Sequence, residues 1–189
     1  MEHRDQALQI RLFGAFRVLR NGEPLSHKDW PQRKTESLLK VLVSWRDHAF
    51  VQDQLTDLLF PDLDQDKAGK SLYNRISELR RVLEPELGHG SQSRYVQRLG
   101  PGSYGFDAEA PCWVDAEAAE RAYLAGEALA EAGRWADAAQ RYRAALELCV
   151  EDFLADAPYE EWALAAREAW HQRRETALPQ LLDALAAVG

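Results

Sequence analysis

Cysteine is scarce: Cys112 and Cys149 are the only two in 189 residues. Two thiols make neither a disulfide framework nor a closed zinc site, and such usage points to a reducing compartment. No apolar run approaches the ~18 residues of a spanning helix, and the opening Met1, Glu2, His3, Arg4 and Asp5 hold no signal-peptide core. The sequence therefore reads as soluble and cytoplasmic, with no membrane partner. Glycine (11 residues) and proline (8) are too few for a collagen-like or low-complexity chain, and a composition 46% hydrophobic and 29% charged belongs to folded domains. The length accommodates two domains of about 100 residues.

Enzyme signatures are missing too. There is no glycine loop ending in Lys-Ser/Thr, no His-Glu-x-x-His and no Gly-x-Ser-x-Gly. The five histidines (3, 27, 48, 89 and 171) show no metal-ligand spacing. Glu160 and Glu161 imitate a carboxylate pair, but neighbours on a helix point about 100° apart. Gly100 and Gly102 bracket Pro101, a pattern that suits a hairpin turn better than an anion cradle. No enzyme, metal or cofactor is expected.

Charge is unevenly spread. The net value is -8, yet residues 1–106 hold 16 Lys and Arg against 14 Asp and Glu, while residues 107–189 hold 7 against 17. A binding field is local to one face, so the first part is the candidate for an anionic partner.

Leu8, Ile10 and Leu12 alternate with polar residues as in a half-buried strand. Phe16 and Val18 begin a second strand, and Asn21-Gly22 suits a type I′ turn, which needs φ > 0 at both positions. Residues 23–25 return. Three helices follow. Residues 32–46 put Leu38, Leu39, Leu42, Val43 and Trp45 on one face, 53–59 carry Leu55, Leu58 and Leu59, and 66–84 carry Ala68, Leu72, Ile76, Leu79 and Leu83. Glu84-Pro85 stops the third. Residues 95–99 and 104–106 form a hairpin about the turn 100–103. Beyond residues 107–114 the texture becomes Ala-rich and helical: 115–132 and 134–149 make a hairpin broken at Gly133, and a last helix runs from about 159, interrupted at Pro179.

On the third helix the face opposite the apolar stripe holds Lys67, Lys70, Asn74, Ser77 and Arg81, flanked by Ser71, Arg75 and Glu78. Asn suits adenine, Arg and Lys guanine, Ser either, and Glu accepts from cytosine. A solvated amphipathic face is the plainer reading of the helix alone. The following hairpin, with Arg94 and Arg98, shifts the balance, because a helix followed by a basic hairpin is the layout of a winged helix.

Leu12-Phe13-Gly14, Arg33-Lys34, the stretch Leu55–Pro61, the stretch Ser71–Leu83 and Tyr104–Phe106 together resemble the OmpR/PhoB-type winged-helix domain, in the version found in the Streptomyces antibiotic regulatory protein family. The resemblance implies an α+β fold with a four-stranded N-terminal antiparallel sheet, three helices and a C-terminal β-hairpin over residues 1–106. It makes helix 66–84 the recognition helix and turns Lys70, Ser71, Asn74, Arg75 and Glu78 to the groove; Arg81 on the same face joins them as a base reader. Arg33, Lys34, Lys67, Arg94 and Arg98 are the phosphate candidates. Glu78 stands where the family often has an arginine, and Gly100 where its wing often has a basic residue.

Val114-Asp115, Phe153-Leu154 and Glu161-Trp162 followed by Arg167 resemble the family's bacterial transcriptional activator domain over residues 107–189. That domain is all-α and tetratricopeptide-like, and Gly126, Gly133, Trp135, Ala138, Tyr142 and Ala145 fall at the repeat's spacing. Val150 replaces the usual closing proline, and Glu151 sits where glycine is common. The domain usually has more helices than 107–189 supply, which marks a compact member or a piece of a longer protein. Leu181, Leu182, Leu185 and Val188 form an apolar stripe that calls for a partner. The resemblance implies a DNA-binding transcription activator, a homodimer on promoter direct repeats that contacts RNA polymerase. The alternative is a protein-interaction adaptor whose winged helix has lost DNA binding.

Overall fold

A computed structural model describes residues 7–46, 48–88 and 90–188. The chain folds as two compact units: Leu19–Pro111 makes one, and the chain up to Val18 together with that from Cys112 onward makes the other.

Strand β2 (Arg17–Arg20), whose last two residues open the Leu19–Pro111 unit, turns at Asn21 and Gly22 into β3 (Glu23–Pro24), pairing Leu19 with Pro24 and Arg20 with Glu23. The turn residues have φ of 51° and 83°, as the Asn-Gly signal requires. Helices α1 (Arg33–Ser44), α2 (Gln52–Leu59) and α3 (Gln65–Leu83) follow within two residues of their expected limits. Strands β5 (Val96–Gly100) and β6 (Ser103–Phe106) form the expected hairpin, and a two-residue strand β4 (Phe50–Val51) adds to its edge, giving the order β4-β6-β5. The apolar stripes of the three helices meet: Leu38, Leu39, Leu42, Leu55, Leu59, Leu72, Ile76 and Leu79 are buried, as are Tyr95, Val96 and Phe106 of the hairpin. Burying side chains of this kind contributes about 1.5–3 kcal/mol each.

Both ends of α3 are fixed by side chains. The Asp64 carboxylate caps its start by accepting from the Lys67 backbone N–H at 3.0 Å. Buried Glu84, just past its end, accepts from the Ser93 hydroxyl and from the Arg94 backbone N–H at 3.1 Å. The Arg80 Nε donates to the Val96 carbonyl at 3.0 Å, which ties α3 to the hairpin strand β5.

In the other unit, β1 (Leu8–Arg11) pairs in parallel with β7 (Cys112–Val114), with Leu8 opposite Cys112 and Ile10 opposite Val114. Helices α4 (Asp115–Glu131) and α5 (Trp135–Leu148) form the expected hairpin about Gly133, whose φ is 71°. Gly126 lets them close: a Cβ there would lie 2.7 Å from Tyr142 Cε1. A 3-10 turn (Glu161–Ala163) leads into α6 (Leu164–Val188). The expected interruption at Pro179 is corrected, since α6 passes through it. The ring costs the N–H that would meet the Glu175 carbonyl, but Glu175 is exposed, so water can serve that oxygen. Ala177 and Ala184 on either side are buried with Tyr123 and Tyr142, which holds the segment helical.

The residues that carried the C-terminal resemblance are structural. Asp115 Oδ1 accepts from the Leu12 N–H at 2.8 Å and Oδ2 from the Phe13 N–H at 3.1 Å. The Phe13 ring meets the edges of Phe153 and Trp170 at centroid distances of 6.0 and 4.9 Å. Arg167 donates to the carbonyls of Phe153 at 3.0 Å, Pro158 at 3.3 Å and Ala157. No described helix is long and apolar enough to cross a membrane.

Candidate nucleic-acid interface

All eleven residues expected to meet DNA lie within Leu19–Pro111, seven of them on α3. Lys67, Lys70, Asn74 and Arg81 are exposed, and Ser71 is half-buried. Arg75 and Glu78 are placed differently. Arg75 is only 9% exposed, and its Nη2 donates to Glu78 Oε1 at 2.7 Å. The Thr35 hydroxyl of α1 donates to the other Glu78 oxygen at 2.7 Å. Both side chains are thus spent inside the unit, against the expectation that they face a groove. They flank the apolar stripe, and long side chains at its edge fold under it where a partner waits.

Arg33 and Lys34 are exposed in the first turn of α1. Cations there oppose the helix dipole, so helix stability does not explain them. Lys67 sits 2.8 Å from the Asp64 carboxylate with most of its side chain in solvent. Arg94 lies over the Tyr95 ring at 5.6 Å, and its Nε is 3.2 Å from Glu84, so its charge is partly answered. Arg98 is exposed on β5, its Nε donating to the Gly100 carbonyl at 3.2 Å beside a register shift between Arg98 and Gly100. A bulge of this kind turns a side chain away from the strand's regular alternation.

Two further residues lie beside these. Tyr73 is 67% exposed between Leu72 and Asn74, and Gln52 opens α2. Both line an open hollow of about 660 Å³ with Asp66, Gly69, Lys70 and Asn74. The Gln52 backbone N–H donates to the Gly102 carbonyl at the hairpin turn at 2.9 Å. Its amide nitrogen lies 2.9 Å from where a Cβ on Gly69 would sit. Gly69 was the available signal, because a glycine inside a helix is unfavourable by about 1 kcal/mol and marks a close approach. Nothing in the sequence pattern joins Gln52 to α3. Among the described residues no group of three His, Cys, Asp or Glu is arranged to hold a metal ion.

The Leu19–Pro111 unit, with three helices and a hairpin packed on the third, is a winged helix, and a helical domain follows it. Residues 114–189 match the family model of the bacterial transcriptional activator domain. The fold is similar to that of Mycobacterium tuberculosis EmbR, solved in complex with a low-affinity phosphopeptide, with a TM-score of 0.79 and 23% identity over 95% of this chain. The chain spans 45% of that protein's length. Comparison with curated proteins gives no match. Within this chain a winged-helix fold is thus followed by a segment that matches the bacterial transcriptional activator domain.

Proposed function

We propose that this chain is a sequence-specific DNA-binding regulator of transcription. The observation that carries the reading is the exposed face of α3, where Lys67, Lys70, Asn74 and Arg81 stand free of the core, with the β5–β6 hairpin fastened to the same helix by Arg80. In this reading α3 enters the major groove. Lys70, Ser71, Asn74 and Arg81 meet base edges, while Arg33, Lys34, Lys67, Arg94 and Arg98 meet phosphates. Arg75 and Glu78 act from below by holding α3 to α1. Residues 1–106 serve as the DNA-binding domain and 107–189 as the activator domain. The second region holds 7 basic against 17 acidic residues, so its charge repels the duplex and favours approach by the winged helix.

By likeness to the Streptomyces antibiotic regulatory protein family, the protein acts as an activator, a homodimer on promoter direct repeats that touches RNA polymerase through the helical domain. The phosphopeptide belongs to the longer relative and is not carried over to this chain. The adaptor alternative draws on exposed Tyr73, which would suit a protein surface. One experiment separates the two: selection of bound sequences from a random DNA pool, then a salt titration on the winner. Regulator binding enriches a repeated short motif whose affinity falls steeply with salt. An adaptor enriches nothing.

A further inference from the structure

The hollow beside α3 differs in chemistry from the basic residues around it. Gln52, Lys70, Tyr73 and Asn74 have no side-chain hydrogen bond among the described residues, so two amides, an ammonium and a phenol ring stand unengaged around one recess. The recess is far larger than the ~30 Å³ share of one water. Gly69 forms its floor, and with no side chain there Gln52 of α2 reaches across to the recognition helix. Gln52 is held in place through its backbone bond to Gly102, so α2, α3 and the wing turn converge on this point.

Charge decides what the recess accepts. Asp66 lines it one helical turn before Lys70, offsetting the ammonium and disfavouring a phosphate. Amides and an aromatic face suit a base edge instead. Asn pairs with the N6 and N7 of adenine, and apolar surface recognises the C5-methyl of thymine. Tyr73, two-thirds exposed, offers such a surface next to Asn74. Resting on the DNA-binding reading above, we propose that this recess reads one A·T base pair in the major groove. Asn74 takes the adenine edge, the Tyr73 ring covers the thymine methyl, and Gln52 walls the recess from the α2 side and so narrows what fits.

The test is pool selection with the full chain and with Gln52→Ala, Tyr73→Ala and Tyr73→Phe, followed by titrations in which each thymine of the winner is replaced by deoxyuridine. The exchange removes only the methyl. At one thymine the wild type should lose affinity about fourfold, the worth of one buried methylene-sized group. Tyr73→Phe should show the same loss on exchange and Tyr73→Ala none. Gln52→Ala should relax the preference at that position while the salt slope stays unchanged. Since Tyr73 and Gln52 lie on the surface, these variants should melt like the wild type. If a motif is enriched but every deoxyuridine exchange affects wild type and Tyr73→Ala equally, the recess does not read thymine and the DNA-binding reading stands. If no motif is enriched and binding ignores salt, that reading fails and the proposal with it.

Discussion

Arg75 and Glu78, one turn apart on α3, are joined at 2.7 Å between Nη2 and Oε1. The arginine is nearly buried and the carboxylate about one-quarter exposed. Removing the carboxylate leaves a buried guanidinium unanswered and the Thr35 hydroxyl without its acceptor. Glu78→Ala should therefore lower the unfolding free energy by about 2–3 kcal/mol in denaturant titration, toward the low end for a broken buried pair because water reaches Glu78. The motif enriched from a DNA pool should stay the same. A changed motif with unchanged stability would make Glu78 a base reader after all.

Asn74 and Arg98 should fail in different ways. Asn74→Ala should weaken binding to the preferred site by about 1–3 kcal/mol and leave unspecific binding alone. Arg98→Ala should weaken binding to every sequence and reduce the slope of log affinity against log salt by about one. Equal effects of both on specific and unspecific DNA would show that neither assignment is right.

Burial raises the Asp115 carboxyl from its usual 3.8 to about 6, against the three backbone N–H groups of Leu12, Phe13 and Ala116 that favour the charged form. The folded state therefore holds this proton more tightly than the unfolded chain. Its contribution to stability is fully present below 3.8 and is lost as pH rises through about 6, a difference on the order of 3 kcal/mol. Denaturant titrations across that window should show the wild type losing stability relative to Asp115→Asn as pH rises. A difference that does not change with pH would mean the carboxyl titrates alike in both states.

Gly69→Ala should separate stability from recognition. Alanine in a helix interior is favoured by about 1 kcal/mol, and the atom it would meet, the Gln52 amide nitrogen at 2.9 Å, ends a flexible side chain. The variant should melt higher than the wild type while its enriched DNA motif broadens. A lower melting temperature would show that Gln52 cannot yield.

The three helices and the wing were legible because each buries a stripe at helical spacing or alternates as a strand, and because Asn21-Gly22 leaves few turn geometries open. Strands β4 and β7 have two and three residues, too few for any periodicity to show, and Phe50 and Val114 gain their partners only from distant chain. Pro179 misled because local chemistry forbids one hydrogen bond, whereas buried Ala177 and Ala184 decide the helix. On α3 the exposure of Lys70, Asn74 and Arg81 followed from the helical wheel. A wheel gives the direction in which a side chain leaves the helix and not where its end comes to rest. It therefore missed the inward turn of Arg75 and the reach of Gln52 from another helix.

The parallel pairing of Leu8–Arg11 with Cys112–Val114 bears on any attempt to dissect the protein. A fragment cut at the change of texture near residue 107 would carry β1 away without β7. Leu8 and Ile10, wholly buried in the intact chain, would then lie along an open strand edge, a template for aggregation. A piece that keeps this pairing must hold both residues 8–11 and residues 112–114.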